Sequence, residues 1–148
     1  MAGIKKILHA TDFSKASARA LQEAIKLAKD NDAQLLLVHV IEPTPYMTGA
    51  EFDGAEIYAR LEDLARRNAQ SSMSKLMERL KKSRVKAESL LLRGSSHEQI
   101  VKTARNKKAD MIVIGTHGRT GLSKLFMGSV AGKVVALATC PVMTVRGR

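Results

Sequence analysis

The run Leu35-Leu36-Leu37-Val38-His39-Val40-Ile41 is apolar at every position but one. A strand with one wet face alternates apolar and polar residues. A run without alternation fits a strand covered on both faces, as in a parallel sheet held between two layers of helices. Ala109-Asp110-Met111-Ile112-Val113-Ile114 ends in a second run of this kind. Two such strands need helical cover on both sides, and the chain must supply it elsewhere.

It does so by alternation. Ile4–Ala10 reads as a first strand and passes into Thr11-Asp12-Phe13-Ser14, where Asp12 and Ser14 favour turns and helix caps. From Ser14 onward Ala18, Leu21, Ala24, Ile25 and Ala28 recur at spacings of three and four, which predicts an amphipathic helix ending at Lys29-Asp30-Asn31-Asp32. Glu42-Pro43-Thr44-Pro45 stops the second strand, and Pro43–Gly54 reads as a loop. Ile57, Leu61, Leu64, Met73, Leu76, Met77 and Leu80 mark a long helix with a polar middle at Asn68–Ser72. Val85–Leu92 is a third strand, broken by Gly94; Ser95 and Glu98 then have capping-box spacing for a short helix over 97–107. After the fourth strand come Gly115-Thr116-His117-Gly118-Arg119-Thr120-Gly121, then Gly128-Ser129, a helix through Val134, Val135, Leu137 and Ala138, and a last strand Cys140–Val145. Five strands alternating with helices predict right-handed crossovers and an α/β fold: one doubly wound, five-stranded parallel sheet with helices on both faces. With 148 residues and no linker or internal repeat, a single domain over 1–148 is expected.

Composition narrows the function. Aromatic residues make up 3% of the chain, with no Trp, which leaves few rings on which unpaired bases can stack. No apolar run approaches the roughly 20 residues of a membrane span, and the start of the chain lacks a secretory signal pattern, so a cytoplasmic location without membrane association is expected. Cys140 is the one cysteine; its apolar surroundings predict a buried structural thiol. Net charge is +11, and much of the excess lies between Arg60 and Lys86. Without aromatic platforms or a nucleic-acid motif, that stretch reads as a solvated helix face, and nucleic acid is not expected as a partner.

In open α/β sheets ligands sit beyond the carboxyl ends of strands, where strand order reverses. The polar and glycine residues fall at those ends: Asp12 after strand one, Val40-Ile41-Glu42 closing strand two, Gly94 after strand three and Gly115-Thr116-His117-Gly118 after strand four. Gly115, Gly118 and Gly128, having no Cβ, allow backbone amides to approach an anion closely. Gly128-Ser129 opens a helix whose first amides form a second anion site. Arg119 and Lys124 are placed to close over phosphates, and Asp12 either accepts hydrogen bonds from ribose hydroxyls or helps to hold Mg²⁺ through water. Each feature has a plainer reading: Asp12 or Ser129 as a helix cap, Gly115 and Gly118 as a tight turn, Val40 as core and His117 as a loop residue. His9, His39 and His97 read as packed or capping groups. Gly128–Lys133 lacks the spacing and the closing Ser or Thr of a Walker A loop.

Ile7-Leu8-His9-Ala10-Thr11-Asp12-Phe13-Ser14, Leu37-Val38-His39-Val40-Ile41, and Gly115-x-x-Gly118 followed after nine residues by Gly128-Ser129 resemble the universal stress protein family, in its ATP-binding subgroup. The resemblance spans essentially the whole chain. It implies a Rossmann-like sheet of order 3-2-1-4-5, similar to that of the adenine nucleotide alpha hydrolases. It further implies that Ala10, Thr11, Val40 and Ile114 line an adenine site, that Asp12 contacts ribose, and that Gly115, Gly118, Arg119, Gly128, Ser129 and Val130 hold phosphates. ATP, with Mg²⁺, is the implied cofactor, and a homodimer through Val142–Val145 the implied assembly. The implied function is a nucleotide-responsive regulatory module in stress response that signals to a protein partner. The alternatives are a slow Mg-dependent ATPase, for which the sequence supplies no clear base, and a polyanion-binding protein using the basic 60–86 helix.

Overall fold

Alternation along each strand decides the layers. Ile7, Leu35, Leu37, Met111 and Val113 are buried in one core, whereas Leu8, Leu36, Val38, Ile112 and Ile114 are buried in another. The computed structural model describes residues 3–43, 54–117 and 127–147. Its elements are β1 (Lys6–Ala10), α1 (Lys15–Asn31), β2 (Gln34–Ile41), α2 (Gly54–Lys82), β3 (Ala87–Arg93), α3 (Ser96–Asn106), β4 (Met111–Gly115), α4 (Ser129–Leu137) and β5 (Val142–Val145). The sheet is parallel throughout, in the order β3-β2-β1-β4-β5. The register sets Leu8 opposite Leu36 and Ile112, so the middle of the sheet is aliphatic on both faces.

The first core is closed by α1 and α2 through Ala20, Leu21, Ala24, Met73 and Leu80. The second is closed by α3 and α4 through Ile100, Val101, Ala104, Ala131 and Val134. Each fully buried Leu or Ile contributes about 1.5–3 kcal/mol by leaving water. The small residues of α1 let that helix lie close to the sheet, which fixes where its first turn stands relative to the strand ends.

Several boundaries differ from the sequence reading, each for a visible reason. The first strand begins at Lys6 rather than Ile4, because the amides of Lys5 and Lys6 both donate to Asp110 Oδ2, at 2.8 and 2.9 Å. The third begins at Ala87 rather than Val85, because the Val85 amide turns back to the Leu80 carbonyl and closes α2. The last begins at Val142, since Pro141 has no amide to give, although its carbonyl accepts from Ile112. The capping box at Ser95 does not form: the Ser95 hydroxyl pairs with His97 Nδ1 at 3.2 Å, and the Ser96 amide donates to Glu42 from the end of β2. Cys140 is half-buried rather than buried, and desolvation raises its thiol pKa. Of the loop 43–54 only Pro43 and Gly54 are described. Among the described residues no helix is long and apolar enough to cross a membrane.

Candidate functional site

Chain order turns back at β1, whose neighbours β2 and β4 lead to opposite edges of the sheet. Over the carboxyl ends of these strands lies a cavity of about 660 Å³, within the roughly 300–1,000 Å³ usual for small-molecule sites. Its apolar side is formed by Ala10, Val38, Val40 and Ile114. Polar groups come from the turn after β1, from Asn68 and Ser72 of α2, from Thr116 and His117, and from the start of α4.

The turn after β1 is over-determined. Thr11 prolongs the ladder through its amide to the Val38 carbonyl, at 2.8 Å, and its hydroxyl accepts from the Phe13 amide. Phe13 has φ 64°, a left-handed conformation that costs a bulky residue energy and persists where neighbours enforce it. Asp12 Oδ1 accepts from the Ser14 amide at 2.9 Å and from Ser17 Oγ at 2.6 Å, while Ser17 Oγ accepts from the Asp12 amide. Ser14 is the N-cap of α1, its hydroxyl accepting from the Ser17 amide. One carboxylate oxygen of Asp12 therefore builds the turn, and the cap belongs to its neighbour.

Opposite that turn, Gly128 is the N-cap of α4 and brings no side chain, so no side-chain bond occupies the helix start. Ser129, Val130 and Ala131 line the cavity from there. Ser129 is thus the first helical residue rather than the cap. Unpaired amides and the positive end of the helix dipole suit an anion at this point. Gly115 has a second demand on it: a Cβ there would stand 3.0 Å from the carbonyl carbon of Ala16 in α1. Gly147, beyond β5, meets the same residue, with 2.8 Å between its would-be Cβ and that of Ala16.

Three histidines gather near the cavity. His9, wholly buried beside Ala10, donates Nδ1–H to the Val113 carbonyl at 3.0 Å, and its Nε2 has no partner among the described residues. Burial pushes its pKa down to about 4, against smaller opposing effects of the Val113 bond and Asp12. His39 donates Nδ1–H to the Thr11 carbonyl and packs its ring on Phe13, with centroids 4.5 Å apart. His117 Nδ1 lies 2.8 Å from Thr116 Oγ1.

The structure brings Ala10, Thr11, Asp12, Val40, Ile114, Gly115, Gly128, Ser129 and Val130 around this one cavity. Gly118 and Arg119, like Lys124, lie outside the described residues. Sequence reasoning missed Phe13, Ser17 and His39, and it missed α2: Ala65, Asn68, Ala69 and Ser72 form a wall. The signal is the polar middle of that helix, Asn68–Ser72. Among the described residues no group of His, Cys, Asp and Glu is arranged to hold a metal ion.

The profile of the universal stress protein family matches residues 3–146. The chain belongs to the universal stress protein family. Similar relatives include the universal stress protein MJ0531 of Methanocaldococcus jannaschii, 35% identical over 142 residues that cover 96% of this chain and 82% of the relative. Among solved structures, the family member UspA from Lactobacillus plantarum superposes with a TM-score of 0.87 at 25% identity, covering 99% of this chain and all of its own (100%). A family protein from Archaeoglobus fulgidus in complex with dAMP shares the fold at a TM-score of 0.65 and 24% identity, over 98% of this chain and 99% of that one.

Proposed function

We propose that the chain binds an adenine nucleotide, ATP with Mg²⁺, in the cavity above β1 and β4, and that occupancy regulates a partner protein. The observation that carries this reading is the opposition across one cavity of two unlike walls. The turn at Asp12 presents a carboxylate beside an apolar surface of Ala10, Val40 and Ile114, and the uncapped start of α4 faces it with Ser129 and Val130. An apolar slot holds a base, a fixed carboxylate accepts hydrogen bonds from a sugar, and helix amides donate hydrogen bonds to phosphate. The family motif assigns phosphate binding to Gly118 and Arg119 as well. Bound Mg²⁺ would neutralise phosphate charge; Asp12 and Glu42 are the carboxylate residues that line the cavity among the described residues.

β5 supports a homodimer. It is a four-residue edge strand, paired to β4 on one side only, and its four residues are half-buried. An edge strand of this kind is a template for pairing with a second copy. Nucleotide exchange and dimer state are then two readouts of one module, and turnover is not required.

The test is calorimetric titration of nucleotide-stripped protein with ATP, ADP and AMP, with and without Mg²⁺. The expected result is Mg-dependent ATP binding that Asp12→Asn weakens about tenfold or more while the fold is kept, because the asparagine oxygen can still accept from Ser14 and Ser17. Absence of binding by all three nucleotides would overturn the proposal.

A further inference from the structure

The end of the sheet opposite the cavity carries much of the charge. Strands β3, β2, β1 and β4 begin there side by side: the Lys86 carbonyl accepts from Leu35, the Lys5 carbonyl from Gln34 and the Lys6 carbonyl from Asp110, at 2.8, 2.9 and 2.8 Å. At about 4.8 Å per strand, Lys86, Lys5, Lys6 and the turn at Lys107–Lys108 form a row roughly 15 Å across. The parallel topology also ends α1, α2 and α3 at this side. Their last turns add Lys29, then Arg79, Lys81 and Lys82, then Arg105. With Arg84, eleven cations stand against four carboxylates, Asp30, Asp32, Glu88 and Asp110.

Two of those carboxylates are occupied, Asp110 by backbone amides and Glu88 by Lys107 at 3.3 Å. Cations at helix C-termini have an ordinary explanation in the helix dipole. Even with the end of α4 counted beside those of α1, α2 and α3, helix ends supply only about −2 charges, at about −0.5 each, against a positive excess of seven. The contrast within α2 is sharper. In its first half Arg60 pairs with Glu56, and Arg66 and Arg67 pair with Asp63. At its far end the side chains of Arg79, Lys81 and Lys82, like those of Arg84 and Lys86 beyond it, make no hydrogen bond or ion pair among the described residues.

Turn chemistry points the same way. Helices α1, α2 and α3 each close with paired back-bonds around one left-handed residue, Asp32, Arg84 and Lys108, with φ of 51°, 59° and 57°. Glycine holds this conformation freely, whereas a side chain costs roughly 1 kcal/mol. Two of the three positions carry a cation.

We infer that this face binds the phosphate backbone of duplex nucleic acid without reading its bases. A duplex presents about one charge per 1.7 Å of axis, so a 15 Å row faces about nine phosphates. Single strands call for stacking rings, and the exposed large apolar side chains among the described residues, none of them aromatic, put only Val135 and Leu137, in the last turn of α4, at this end. That is too little to anchor in a bilayer. The sequence placed the excess charge on the flank of one helix; the fold instead neutralises half of that helix and gathers the remainder with Lys5, Lys6 and Lys108 from elsewhere in the chain.

The experiment is fluorescence anisotropy with a labelled duplex DNA of about 20 base pairs at several salt concentrations. The chain should bind with a log–log salt slope of about −4, corresponding to four or five phosphates. The variant Lys5→Gln/Arg84→Gly/Lys86→Gln/Lys108→Gly should lose at least about tenfold in affinity, its two glycines relieving the backbone so that folding is retained. A control with equal charge removed elsewhere, Lys15→Gln/Arg19→Gln/Arg60→Gln/Lys133→Gln, should lose less than about threefold. The single change Arg84→Gly should reduce the slope by about 1. No salt-dependent binding, equal losses in the two quadruple variants, or tighter binding to phosphatidylserine vesicles than to the duplex would each overturn the inference.

Discussion

The two ends of this sheet are built from the same topology and by opposite means. At the carboxyl ends of the strands, the turn from Thr11 to Ser17 is held by six side-chain hydrogen bonds to its own backbone and hydroxyls, and the space is closed by glycine against alanine. At the amino ends, turns are short, left-handed residues are charged, and Arg79, Lys81, Lys82, Arg84 and Lys86 stand without side-chain partners among the described residues. A parallel α/β fold makes such a division available because it sorts helix starts to one end and helix stops to the other. The cavity end depends on fit. The opposite end depends on charge, so it should tolerate substitution far better.

The largest effect should come where fit is tightest. Gly115→Val sets a branched side chain against the backbone of Ala16, and overpacking of this kind costs about 3 kcal/mol or more; urea unfolding measures it, and a loss under about 1 kcal/mol would erase the contrast. Next is acid. His9 is neutral when folded near neutral pH, its pKa lowered by burial from the usual 6.5 to about 4, so folding excludes a proton that the unfolded chain accepts. Stability is therefore complete above pH 6.5 and falls as pH drops from 6.5 towards 4, by about 3 kcal/mol in full. A His9→Leu chain should lack that share of the acid slope, and an unchanged slope would remove His9 as its cause.

Smaller effects sharpen the comparison. Ser14→Ala removes the cap of α1 and should cost about 1 kcal/mol, whereas Arg84→Gly at the charged end should raise stability by about 0.5–1 kcal/mol by releasing a left-handed backbone. If both changes destabilised alike in parallel thermal melts, the two ends would be equally dependent on fit. Arg60→Gln, which breaks an exposed pair on α2, should shift stability by less than about 0.5 kcal/mol.

Much of this was legible beforehand because the strands are so apolar. Leu35–Ile41 and Met111–Ile114 announced burial on both faces, and the family motif added the strand order, which is the order observed. Asp12 and Gly128 were placed at one crevice by their position after strands and before a helix. Less legible were interactions between distant segments: Asp110 taking the amides of Lys5 and Lys6, Glu42 reaching Ser96, and Asn68 of α2 reaching the cavity. Local pattern carries no record of such pairings. The charge was legible as a total and not as a distribution, since Lys5, Arg84 and Lys108 are remote in sequence and are brought together only by the sheet.

Ala16 lies between Gly115, which ends β4, and Gly147, which follows β5, with no side chain between their backbones and its own. A joint with so little slack turns the first turn of α1 and two strand ends into a single mechanical part. Arg146 is exposed at the edge of that part, one residue from the contact. A fluorescent label on Arg146→Cys, in a chain whose Cys140 has been replaced by Ser, would make this family member a built-in gauge: any displacement of the Asp12–Ser17 turn would reach the dye through solid packing rather than through a flexible linker.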